Sequence, residues 1–146
     1  MEVGGACLEL YGITKKVANR QSHHAGFSVG MDKDDWQYVS QYMPAQNQGG
    51  QNVVAIIANR FSFVFNLKGP NFVADTACSA SLVATHCAKL MLLDRTVDAL
   101  DFHVALGCHL CLSVGPFLGA SMAQMISPDG RCFTFNATAN GYLRGE

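Results

Sequence analysis

Asn71-Phe72-Val73-Ala74-Asp75-Thr76-Ala77-Cys78-Ser79-Ala80-Ser81-Leu82 is the stretch on which the reading of this chain turns. Asn71–Asp75 has the apolar content of a short buried strand, and Ser79–Leu93 that of a strongly apolar helix. The residues between them are small, so the chain can turn sharply from strand to helix. Cys78 stands at that junction. At a helix N-terminus, unpaired N–H groups and the macrodipole favour a thiolate over a thiol. The same amides can hold an oxyanion formed on an acyl thioester. A cysteine simply packed inside a strand–helix unit fits the spacing slightly better, because cysteine is among the most often buried residues. Spacing alone leaves both readings open. Asp75, three residues earlier, suits a turn or capping role better than a chemical one.

Outward from this stretch, helices and short strands alternate. Towards the N-terminus, Val3, Ala6, Cys7, Leu10 and Tyr11 recur at helical spacing within Val3–Val17. Polar residues Lys15–His24 lead into a buried strand over Ala25–Val29, bounded by Gly30. Asp32–Tyr42 is predicted as a short helix and Pro44–Gly50 as a loop. A helix over Gln51–Leu67 carries Val53, Val54, Ile57, Phe61, Val64 and Phe65 on one face, and Gly69-Pro70 ends it. Beyond the central stretch, Phe102–Leu112 is a longer strand candidate, and Pro116 opens a helix to about Met125. Ser127-Pro128-Asp129-Gly130 has tight-turn chemistry, and Arg131–Glu146 reads as irregular. Such alternation predicts an α/β fold with a mostly parallel, buried sheet.

Composition narrows the function classes. Of 146 residues, Lys+Arg number 10 and Asp+Glu 11, a net charge of −1. Charged residues make up 14% of the chain and apolar ones 49%, against about 25% charged in an average globular protein. Disorder is excluded by that balance, as is a basic nucleic-acid binder. The longest purely apolar run, Val53–Ala58, is far short of the ~18 residues that a membrane span requires. Met1-Glu2-Val3-Gly4-Gly5 has neither the basic start nor the apolar core of an export signal. Cys7, Cys78, Cys87, Cys108, Cys111 and Cys132 stand at irregular spacings in apolar surroundings, and are read as reduced thiols of an intracellular, cytoplasmic protein.

Asp75-Thr76-Ala77-Cys78-Ser79-Ala80-Ser81-Leu82 resembles the nucleophile motif of β-ketoacyl synthases, above all the ketosynthase domains of type I polyketide synthases. The usual motif has a third Ser where this chain has Ala80. Other segments agree in order. Gly26-Phe27-Ser28-Val29-Gly30 resembles the family's early strand. Ala58–Pro70 resembles the helix before the nucleophile strand. Ser127-Pro128-Asp129-Gly130-Arg131-Cys132-Phe133 and Gly141-Tyr142-Leu143-Arg144-Gly145-Glu146 resemble the segment after it. The resemblance spans the whole chain.

The resemblance implies a thiolase-like layered α/β sandwich, of which residues 1–146 would be mostly the first, N-terminal half, incomplete at both ends. It implies that Cys78 is the nucleophile, with its own backbone N–H as one oxyanion donor, and accepts an acyl group from a carrier-protein thioester. Decarboxylation of a malonyl-type extender and Claisen condensation would follow. No cofactor or metal is expected to bind directly, because the substrates ride on the phosphopantetheine arm of acyl carrier protein. Complete members form homodimers that meet near the nucleophile strand. A fatty-acid synthase condensing domain is the nearest rival, and the Ser-Pro-Asp-Gly-Arg-Cys segment favours the polyketide class. A non-catalytic scaffold or chain-length partner is the alternative from another class, and retention of Cys78 argues against it.

The family also uses two histidines, one in His-Gly-Thr-Gly-Thr and one after Gly. Neither motif occurs in these residues, so the segment alone is expected to be inactive. His86 lies eight residues along the helix from Cys78, about 12 Å at 1.5 Å per residue, too far for a Cys–His pair. His23, His24, His103 and His109 are expected to be satisfied or surface residues. Cys108 and Cys111 form a C-x-x-C, but there is no second ligand pair, and a strand would send the two to opposite faces. Asp32-Lys33-Asp34-Asp35 lacks the Gly and distal Glu of a calcium loop and reads as a solvated helix start. Phe117 and Met125 suit either an acyl pocket or core packing. Asn136 and Asn140, which flank Thr138, occupy positions where the family often has Asp, so amides replace carboxylates there.

Overall fold

A computed structural model describes residues 1–32, 35–40, 42, 44, 53–96 and 98–144. The chain divides into two compact units, one of Met1–Lys33 with Gly50–His109 and one of Asp34–Gly49 with Leu110–Glu146. The first holds a three-stranded parallel sheet. Its strands are β1 (Ala25–Met31), β2 (Asn71–Ala74) and β3 (Phe102–Cys108), in the order β2-β1-β3. Phe27 pairs with Asn71 and Gly30 with Ala74 on one side of β1; Gly26 pairs with His103 and Gly30 with Gly107 on the other.

The two faces of this sheet are built differently. On one, Phe27 stacks on Phe61 of α4 (Ile56–Val64) at 4.0 Å between centroids, and Phe61 on Phe65 at 4.6 Å. Leu8 of α1 (Glu2–Leu10) and Ala18 of α2 (Lys15–Gln21) complete this large-residue core. On the other face lies α5 (Ala80–Leu93), whose buried residues are Ala80, Ala84 and Ala88, one ridge at four-residue spacing. Gly30 and Gly107 meet the first turn of that helix. A Cβ at Gly30 would collide with the backbone of Ala80 and Ser81, and one at Gly107 would come within 2.8 Å of Ser81 Cβ.

Several helix boundaries and faces differ from the expectation set by periodicity. The segment Val3–Val17 is two helices, split at Gly12 (φ 92°) and restarted by Thr14, whose Oγ1 accepts from Val17 N at 3.3 Å. Helix α1 buries Gly4 and Leu8, while Val3, Ala6, Cys7, Leu10 and Tyr11 are exposed. The small side is inward because Gly4 lies against the Phe61 ring. The stretch Lys15–His24, read as a polar lead-in, holds α2. Helix α4 starts at Ile56, leaving Val53 exposed; Gln51 and Asn52 lie outside the described residues. Strand β1 continues through Gly30 to Met31, and β3 stops at Cys108.

The second unit holds α3 (Trp36–Ser40) and α6 (Gly115–Met122), with Pro116 in the first turn of α6. Helix α3 is shorter than predicted. Asp35 is 2% exposed and accepts from Leu112 N at 3.2 Å, so it is buried and bonded, not a solvated helix start. Lys33, Asp34 and most of the expected loop Pro44–Gly50 lie outside the described residues. The predicted turn is present, with Gly130 N bonded to Ser127 O at 3.2 Å and Gly130 at φ 63°. Residues 131–144 lack helix and strand apart from a bridge between Ile126 and Tyr142.

The sheet–helix contact is set by backbone proximity, so Gly30→Ala should destabilise the protein by about 1–3 kcal/mol, as overpacking does. Gly119→Ala, in exposed α6 with nothing within 4 Å of the added Cβ, should instead stabilise by up to about 1 kcal/mol. Urea midpoints of the two variants measure both effects.

Candidate active site

Cys78 lies in an exposed five-residue turn, 75–79, between β2 and α5. Three devices shape it. Asp75 Oδ1 accepts from Ala77 N at 3.1 Å, the Asx turn that suits a residue in this place. Ala77 adopts φ 54°, a left-handed conformation that reverses the chain just before the cysteine. Ser79 Oγ lies 2.8 Å from Thr76 O and 3.0 Å from Thr76 Oγ1, and Ser79 N bonds Thr76 O at 3.3 Å. Ser79 is the N-cap of α5, so Cys78 immediately precedes the helix instead of forming its first turn. The thiol therefore projects from the C-terminal ends of parallel strands, the usual place for chemistry in such sheets.

The sheet beneath contributes a polar group that residue pattern alone does not single out. Ser28, fully buried in β1, lies 3.3 Å from Ala84 O of α5 and 3.1 Å from His103 Nε2 of β3. Burial holds the His103 pKa below its ordinary value. The one available signal was the run Gly26, Ser28 and Gly30, which puts small residues on one face of a strand.

The remaining candidates are dispersed. His23 Nδ1 lies 4.0 Å from Asp101 Oδ2 and its ring packs on Phe102. His24 Nδ1 pairs with Ala99 O, His109 Nδ1 with Asp32 O, and His86 is exposed on α5. Cys108 ends β3 while Cys111 belongs to the second unit, so the expected alternation along one strand does not apply. Among the described residues, no three His, Cys, Asp or Glu side chains converge on a possible metal site, and no disulfide forms. Phe117 lies 4.6 Å from the Arg144 guanidinium, and Met125 is half exposed. Asn136 Oδ1 accepts from Thr138 N at 3.1 Å. Asn140 Oδ1 accepts from Ser127 Oγ at 2.6 Å while its Nδ2 donates to Asp129 Oδ2 at 2.7 Å, which an aspartate at that position could not do.

Residues 1–146 match the family Beta-ketoacyl synthase, N-terminal domain. The ketosynthase from module 6 of the Bacillus subtilis 168 bacillaene synthase superposes with a TM-score of 0.77 and 31% identity, covering 96% of this chain and 23% of that one. The oxazolomycin ketosynthase domain of Streptomyces albus gives a TM-score of 0.80 at 27% identity, covering 95% and 24%. The fold is the N-terminal half of the thiolase-like layered sandwich. The chain belongs to the β-ketoacyl synthase family.

Curated relatives are polyketide synthases. The highly reducing polyketide synthase tstA of Talaromyces stipitatus is 50% identical over 91 residues, 61% of this chain. A phenolphthiocerol/phthiocerol polyketide synthase of Mycobacterium tuberculosis is 44% identical over 108 residues, 74% of this chain. This chain spans 3% and 6% of their respective lengths.

Two measurements test the local geometry. Ala77→Gly should raise stability by up to about 1 kcal/mol and Ala77→Val lower it by about 1–2 kcal/mol, because φ 54° is costly for a residue with a Cβ, more so when branched. For His103 the folded pKa is depressed, so the unfolded chain binds the extra proton first. Stability is full above the ordinary value of 6.5 and falls as pH drops from there to the folded pKa, below which the loss levels off. His103→Gln should remove this part of the pH dependence of the urea midpoint.

Proposed function

We propose that this chain is the nucleophile-bearing part of a polyketide synthase ketosynthase domain. The observation that carries the reading is Cys78 on an exposed, left-handed turn directly before α5. The Cys78 thiolate attacks the carbonyl of an acyl group carried on a phosphopantetheine thioester. Backbone amides at the head of α5, including that of Cys78, stabilise the tetrahedral oxyanion. Collapse releases the phosphopantetheine thiolate and leaves the acyl group on Sγ. A malonyl-type extender then loses CO2, and the resulting carbanion attacks the acyl-Cys78 carbonyl. The new C–C bond forms as the Cys78 thiolate departs.

Decarboxylation and proton transfer need groups that these residues do not supply, since His24, His103 and His109 are hydrogen-bonded elsewhere, His23 packs on Phe102 beside Asp101, and His86 is exposed two turns along α5. Residues 1–146 are accordingly part of the domain and condense nothing alone. Acyl carrier protein delivers both substrates, and the reaction uses no metal. The outward side of α5 exposes Leu82, Leu90 and Leu93, and α4 exposes Phe63 at 85%. Such surface suits cover by the rest of the domain and by a second protomer across the free edge of β2. The cysteine chemistry suits a reducing, intracellular compartment.

Incubating the full-length protein with an acyl-N-acetylcysteamine thioester, followed by peptide mass spectrometry, should put the acyl group on Cys78. Cys78→Ala should abolish loading while leaving the melting temperature within a few degrees of the parent. Acylation spread evenly over the six cysteines, or surviving in Cys78→Ala, would favour a non-catalytic scaffold.

A further inference from the structure

The contact between α5 and the sheet is unusual in what it lacks. Its helix side is Ala80, Ala84 and Ala88, with the small Ser81 side chain against Gly107, and its sheet side includes Gly30, Gly107 and Ser28. Helices normally take their axial position from ridges of side chains seated in grooves. Methyl groups and bare backbone allow close approach but offer little to seat. The Ser28–Ala84 bond is a directional link between sheet and helix. It joins residues 56 apart in sequence, at 3.3 Å and away from solvent.

Proton bookkeeping assigns a role to His103. The Ala84 carbonyl only accepts, so the single Ser28 hydroxyl proton goes to it. Ser28 Oγ then accepts from His103 Nε2–H at 3.1 Å. That leaves the bare Nδ1 lone pair as the buried atom without a partner. The arrangement is self-consistent for a neutral imidazole, which the lowered pKa favours. Without His103, the Ser28 hydroxyl is free to rotate away from Ala84.

We propose that His103 and Ser28 are positioning residues: a two-part latch that fixes the axial register of α5 and thereby the place of Cys78. Neither touches the thiol. They act through the Ala84 carbonyl, on the second turn of the helix that Cys78 precedes. This rests on the reading of Cys78 as the acyl acceptor.

The test uses the full-length protein with Ser28→Ala, His103→Leu, His103→Gln and the Ser28→Ala/His103→Leu double variant. Hydrogen exchange of the α5 amides reports the latch itself, and the iodoacetamide alkylation rate of Cys78 relative to Cys7 reports its consequence. Ser28→Ala and His103→Leu should each speed α5 exchange and slow Cys78 alkylation by about tenfold, in proportion to the loss of one hydrogen bond. The double variant should be no worse than either single one. His103→Gln, whose side-chain amide can donate in place of Nε2–H, should return both readouts to within about twofold of the parent. A general packing defect would leave Gln as poor as Leu, and that result overturns the latch. So does unchanged α5 exchange in His103→Leu, or additive effects in the double variant. Altered exchange with unaltered Cys78 alkylation overturns the positioning of Cys78. If parental Cys78 is alkylated no faster than Cys7, the acyl-acceptor reading fails, while the exchange data still decide the latch.

Discussion

The constraint on which this structure depends is the short distance between α5 and the sheet. At Gly30 no side chain, not even a methyl, can stand between β1 and the start of α5. That contact holds the helix head over the ends of the strands, and the turn carrying Cys78 follows from it. The opposite face solves a different problem, with Phe27, Phe61 and Phe65 stacked in series. One sheet thus carries bulk on one side and near-absence of side chain on the other. Bulk supplies apolar burial; its absence supplies close approach.

Much of this was legible in the chain. The strand–turn–helix around Cys78, the position of β2 and α5, and the parallel alternation all came from residue pattern, and the family from five ordered motifs. The turn was readable because Asp, Thr, Ala and Ser have local reasons to be there, as the Asp75–Ala77 bond illustrates. What failed was the choice of face on isolated helices. In α1 the apolar residues Val3, Leu10 and Tyr11 face outward and Gly4 inward, because the Phe61 ring claims the space that a side chain would fill. Periodicity reports that one face differs from another, not which neighbour each will meet.

Asp35 departs from its expected place for a related reason, and the Ser28 partner of His103 is hidden from sequence in the same way. Asp35 and His103 are polar, and each is bonded to a partner more than 70 residues away: Leu112 N in one case, Ser28 in the other. No local window contains both members of either pair. The Asn140 amide shows the same principle at shorter range, since its two ends serve a hydroxyl and a carboxylate at once. Amide and carboxylate are near-isosteric, yet only one of them can make that pair of bonds.

The strand order has a kinetic consequence. β1 precedes both of its partners and lies between them in the described sheet, and that pairing is distant in sequence: Phe27 meets Asn71, and Gly26 meets His103. During synthesis, β1 emerges long before β2 and β3, and Phe27 before Phe61, the ring that stacks on it. Closing such long loops comes before any reward from pairing, so assembly is slow by topology. Between translation of β1 and of β3, apolar strand surface therefore stands open to other copies of the chain.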